Sequence, residues 1–168
     1  EDITHERFIR KYLICRGFDD RKIAPFPNLK GKKVNNNNAF VVSNYAKIVK
    51  SYRANKNSQE LAIVVMIDAD DQTIAERMKA LHTALDREKG ELNNDTRNSS
   101  EKIAFFIPAR NIETWFYYIE SGQKCDELTD YKQEKYSSLS KKARIKLAED
   151  SAIKLAQEIC TEGLKEDA

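Results

Sequence analysis

Residues 61–71 read LAIVVMIDADD, an unbroken apolar and largely β-branched run that stops abruptly in acid groups. A run without polar alternation suits a strand covered on both faces, as in a parallel sheet. KIAFFI (102–107), stopped by Pro108, is a second run of the same kind. Between the two lies a helical pattern over about 73–89, with Ile74, Met78, Leu81 and Leu85 as its stripe, Gly90 as its stop, and Thr73 and Glu76 at capping-box spacing. Strand, helix, strand predicts an α/β fold with a central, mostly parallel sheet flanked by helices. In such sheets, ligand sites lie beyond the carboxyl ends of the strands. Asp68 and Asp70 stand at that edge.

The remaining pattern is mostly helical. Residues 2–16 carry Phe8, Ile9, Tyr12 and Leu13 at helical spacing before Gly17. RKIAPF (21–26) reads as a short strand, and NLKGKKVNNNNAF as a loop. Residues 40–54 predict a helix with Val41, Tyr45, Ile48, Val49 and Tyr52 on one side. ELNNDTRNSSE (91–101) reads as a polar loop. NIETWFYYIE (111–120) predicts a helix with Ile112, Trp115, Phe116 and Ile119 inward. Residues 122–140 are polar and tyrosine-containing, and a last helix is expected over about 140–161. Residues 1–121 are read as the α/β core and 122–168 as a loop and helical extension of the same domain.

With 168 residues, 33% charged and 40% hydrophobic, the chain has the composition of an ordinary globular domain. No apolar stretch approaches the ~20 residues of a membrane span, so no membrane partner is expected. Cys15, Cys125 and Cys160 are odd in number and widely spaced, which argues against a disulfide framework or a zinc site and fits a reducing cytoplasm. A net charge of +2 is too small to argue for nucleic acid by itself, so local clusters carry that argument.

Two carboxylates two residues apart on an extended tip share one side and repel. They are tolerated if solvated, if one is protonated, or if a cation lies between them. Mg²⁺ takes such oxygens together with waters and phosphate oxygens. The competing reading is that these aspartates complement and cap the following helix, which suits Asp71 best. Gln72 breaks the DxDx[T/V] pattern of a haloacid-dehalogenase-type phosphatase. No GxxxxGK[ST], GxGxxG or GxSxG occurs, which removes P-loop, dinucleotide-binding and α/β-hydrolase readings.

EDITHERFIRKYL, an acid followed by T-x-E-x-F-I-R-K and a helix, resembles the start of a Toprim domain, the domain shared by topoisomerases, bacterial primases and overcoming-lysogenization-defect nucleases. Asp68-Ala69-Asp70 resembles the DxD that ends a later parallel strand in that family, and the resemblance covers about residues 1–120. RNIETWFYYIE is similar to a segment of Toprim-like phage-defence proteins, in which R-x-I-E and an aromatic pair open a helix. The family's first strand would precede Glu1 and is expected upstream of the sequence given. His5 stands where the overcoming-lysogenization-defect nucleases often carry another acid. It is read as an exposed first-turn histidine, and His82 as a structural one.

The resemblance implies a Toprim-like, Rossmann-like fold and a Mg²⁺- or Mn²⁺-dependent nuclease that hydrolyses phosphodiester bonds in DNA or RNA. It would act as an antiviral effector with an ABC-type or other ATPase partner, and self-association into a homo-oligomer is compatible with it. Glu1, Asp68 and Asp70 would hold metal, and Glu113 would complete the shell or orient water. Lys30, Lys32 and Lys33, Arg110, and Lys141 and Lys142 with Arg144 and Lys146 are the candidate phosphate contacts. Tyr117, Tyr118, Tyr131 and Tyr136 either stack on bases or pack inside the fold. The alternative is a non-catalytic Toprim-like subunit that docks an ATPase. A receiver-like phosphotransfer domain is disfavoured, because IAFFIPAR offers proline and arginine where that chemistry needs a lysine.

Overall fold

The computed structural model describes residues 3–25, 38–57, 59–87, 100–126 and 128–159. In chain order the elements are α1 (Ile3–Cys15), a 3₁₀ turn (Asp20–Lys22), α2 (Asn38–Asn55), β1 (Ile63–Met66), α3 (Ile74–Arg87), β2 (Ile103–Phe106), α4 (Ile112–Ser121), α5 (Tyr131–Glu134) and α6 (Lys141–Lys154), which runs into a π-turn at Leu155–Ile159. The molecule is mixed α/β and mostly helical. Its described sheet is the parallel pair β1–β2, in register Ile63 with Ile103 through Met66 with Phe106. Among the described residues no helix is long and apolar enough to cross a membrane.

The chain forms two compact units that interleave in sequence. One holds α2, β1, α3 and β2. Its core is built from Tyr45 and Val49 of α2, Val65 and Ile67 at β1, Leu81 and Leu85 of α3, and Ile103 of β2. These strand residues share one face; on the other, Met66 and Phe106 are buried as well, while Ala104 is exposed. Tyr45 and Phe105 meet with ring centroids 5.8 Å apart. At the far end of β2, Glu101 is buried and held by a fork from Arg53, with Nε donating to Oε1 at 2.5 Å and Nη2 to Oε2 at 3.0 Å. Removing that carboxylate leaves a largely buried guanidinium without its planar partner. Glu101→Ala is expected to cost about 3 kcal/mol in a urea titration, at the low end for a broken buried pair, because Arg53 can regain some water.

The other unit joins α1 to α4, α5 and α6. Phe8 of α1 meets Phe116 and Trp115 of α4 at 5.8 and 5.9 Å, and α1 packs along α6. Gly122 closes α4 with φ 67, a left-handed cap that suits glycine, and its amide returns to the Tyr118 carbonyl. Ser140 caps α6 by accepting from the Ala143 amide at 3.2 Å.

The segment read as a strand over 21–26 is instead a 3₁₀ turn followed by irregular chain over its described residues. The Asp19 side chain accepts from the Arg21 amide, and this local bond competes with extended pairing. Tyr131 and Tyr136 are buried, and Tyr117 stacks on Tyr131 at 4.5 Å. The Tyr136 hydroxyl donates to Glu120 at 2.6 Å. Burial first, and then Glu120, raise its pKa above the ordinary 10.0. A raised phenol stabilises the fold fully below pH 10, and that stability is lost as the pH climbs towards the folded value. Tyr136→Phe is therefore expected to flatten the alkaline limb of a melting-temperature profile.

Candidate functional site at the tip of strand β1

Pairing between the two strand segments runs past the regular ladder. Ile67 donates to the Phe106 carbonyl at 3.1 Å, Ala69 to Pro108 at 3.0 Å and Asp70 to Arg110 at 2.7 Å. The extension carries Asp68 to the carboxyl edge while keeping it inside, 2% exposed. The extended course then breaks. Asp70 has φ 55, and so does not continue on one side with Asp68 as an extended tip would. Arg110, its hydrogen-bond partner, has φ 61. These are the only non-glycine residues with positive φ among those described, and they bond to each other. Aspartate tolerates the left-handed region, whereas arginine there costs about 1 kcal/mol or more. Such outliers persist where the surrounding structure overdetermines them, and they cluster at functional sites.

Two side chains absent from the sequence reading close the tip. Asn38, the first residue of α2, donates through Nδ2 to the Asp68 carbonyl at 3.2 Å and makes a short bond to the Asp70 carboxylate. Arg77 of α3 donates through Nη2 to the Ala69 carbonyl at 3.1 Å and approaches Asp70 Oδ2 at 3.5 Å. Arg77 takes the inward place on α3 that the stripe assigned to Ile74, which is 45% exposed. A cation in the first turn of a helix opposes the helix dipole. That mismatch is the one sequence signal from which Arg77 could have been found, and it is weak in an ordinary amphipathic helix. Asn38 ends a run of asparagines and carried no such signal.

Thr73 and Glu76 form the expected capping box. The Thr73 amide and hydroxyl donate to Glu76 at 2.8 and 2.9 Å, and the Glu76 amide donates back to the Thr73 hydroxyl at 3.1 Å. The Thr73 amide, and then its hydroxyl, hold the Glu76 carboxyl below its ordinary 4.5. With that cap in place, Asp71 is not the capping residue. It is exposed and pairs with Arg110 at 3.6 Å, so the guanidinium read as a phosphate contact has a carboxylate neighbour.

The other predicted residues fall as follows. Glu113 is 5% exposed in the first turn of α4, in the other unit, and is not a solvated helix glutamate. His5 is buried rather than exposed, because α1 packs along α6. His82 packs edge-on to Phe105 at 6.4 Å. Lys141 and Lys142 are exposed at the start of α6. Glu1, Lys30, Lys32, Lys33 and Cys160 lie outside the described residues. Among the described residues no group of three or more His, Cys, Asp or Glu side chains is placed to hold a metal ion. The tip thus gathers Asp68 and Asp70 with Asn38, Arg77 and Arg110.

Compared with protein-family models, curated proteins and solved structures, the chain matches none of them.

Proposed function

We propose that the protein is a Toprim-like, divalent-cation-dependent nuclease whose reaction centre lies at the tip of β1. The observation that carries the proposal is the placement of two acids beyond the carboxyl end of a parallel strand, on a backbone held left-handed at Asp70 and Arg110. The donor chemistry fits Mg²⁺ or Mn²⁺, since hard cations take one or two carboxylates and fill the rest of their shell with waters and phosphate oxygens. Asp68 and Asp70 would hold the ion. Glu1 and Glu113 enter the proposal through the family resemblance alone.

A bound cation would supply an activated water and stabilise charge on the phosphoryl group. The chain's own residues do the rest. Asp68, buried, has little rotational freedom and fixes one oxygen donor. Asn38 ties the start of α2 to the tip and orients Asp70. Arg110 lies at the mouth of the tip, where exchanging Asp71 for a substrate phosphate would hold the scissile strand. Lys141 and Lys142, exposed in the other unit, enter the proposal from the sequence alone as backbone contacts.

The test is cleavage of labelled single- and double-stranded DNA and of RNA in Mg²⁺ and in Mn²⁺, with a chelator control and Asp68→Asn. Cleavage that needs both the metal and Asp68 supports the reading. Metal-dependent cleavage that survives Asp68→Asn contradicts it. A second reading is a non-catalytic module that docks an ATPase. It is favoured by the engagement of Asp70 with Asn38 and Arg77, which already gives the acid a structural use.

A further inference from the structure

We propose that Arg77 is a resident counter-cation of the acidic tip, and that a divalent cation binds there by displacing its guanidinium from Asp70. The inference rests on the metal-binding reading of the same tip and adds its regulation.

Three independent features point to it. Arg77 is 8% exposed, yet it sits in the first turn of α3, the end of a helix that disfavours a positive charge. Its guanidinium is only partly satisfied. Nη2 reaches the Ala69 carbonyl and the Asp70 carboxylate, while Nε is buried without a hydrogen-bond partner among the described residues. Asn38 repeats the pattern from the other side. It is 9% exposed, its amide nitrogen donates to the tip, and its Oδ1 is buried without a hydrogen-bond partner among the described residues. Buried polar atoms are nearly always paired, and exceptions call for an explanation. An unpaired acceptor beside the Asp70 carboxylate is one more hard oxygen for a cation. The unpaired donor belongs to a guanidinium shared between a carbonyl and that carboxylate.

Competition follows from charge. Asp70 approaches the Arg77 guanidinium at 3.5 Å, and like charges a few ångströms apart repel. A divalent ion at Asp68 and Asp70 therefore pushes Arg77 away. Arg77 also keeps adventitious monovalent ions from the tip and sets the Mg²⁺ concentration at which it fills. Lysine would serve less well, because it lacks the planar fork that spans a carbonyl and a carboxylate.

The experiment measures Mn²⁺ affinity by electron paramagnetic resonance in the full chain, comparing wild type, Arg77→Gln and Asp68→Asn/Asp70→Asn. Arg77→Gln is expected to bind about ten-fold tighter, and the double carboxamide variant to lose binding. Carboxylate-dependent binding that is unchanged or weaker in Arg77→Gln overturns the inference and leaves the metal reading standing. Absence of carboxylate-dependent binding in both wild type and Arg77→Gln overturns the metal reading and the inference together. A second measurement needs no variant to fold. The Arg77 Nε–H resonance of the wild-type chain is followed during Mg²⁺ titration. It is expected to shift with the same midpoint as binding, and a resonance unmoved at saturation overturns the displacement.

Discussion

Asp68→Asn is expected to lower Mg²⁺-dependent cleavage by about 10²–10³-fold, the scale on which one preorganised charge-stabilising group acts in a reaction centre. The side chain is buried at the end of the strand pairing, where bulk solvent does not stand in for its lost charge. The substitution is isosteric. It leaves the Asp68 carbonyl in place to accept from Asn38, and it leaves the bonds from Ala69 and Asp70 to Pro108 and Arg110 untouched. Initial rates at saturating Mg²⁺, read beside the melting temperature, separate a chemical defect from a folding one. A rate that falls in step with stability would argue for a merely structural acid.

Phe116→Ala should be the most damaging of the apolar truncations, at about 3–5 kcal/mol. Phe116 is 1% exposed on α4 and meets the Phe8 ring at 5.8 Å. Phe8 itself is wholly buried, so the cavity has rigid walls on two helices and little chance to collapse. Phe18, exposed in the same unit, is the control. Phe18→Ala should change stability by about 0.5 kcal/mol or less. Urea midpoints of the two variants at constant slope give the comparison directly.

How far the fold was legible depended on how local its signal was. β1 and β2 were readable because a β-branched apolar run covered on both faces has few other uses. Their regular ladders are shorter than the runs, Ile63–Met66 and Ile103–Phe106, because pairing continues through single bonds rather than full ladder geometry. The capping box of α3 was readable because Thr73 and Glu76 satisfy each other within one turn. The facing of α3 was readable at Met78, Leu81 and Leu85, which pack in the core, but not in its first turn, where Ile74 is exposed and Arg77 is buried against the Ala69 carbonyl. His5 was read as exposed, and the burial of Glu113 was not foreseen, for a related reason. Burial on the first turns of α1 and α4 is decided by distant helices.

The candidate site divides along the same line. The acids announced themselves by interrupting an apolar run. Their partners did not, because Asn38 is drawn from a run of identical residues and Arg77 from an ordinary amphipathic helix. The left-handed backbone at Asp70 and Arg110 was also hidden, since no glycine marks it. Such strain is fixed by the Asp70-to-Arg110 hydrogen bond, a contact of high sequence separation that local propensity cannot encode.

The most direct measurement is calorimetric titration of Mg²⁺ into the wild-type chain and into Asp68→Asn/Asp70→Asn. A cation site at the tip of β1 predicts a saturable heat in the wild type that disappears in the variant while its melting temperature without metal is retained. Superimposable titrations of the two proteins would contradict it and leave the aspartates with a structural role.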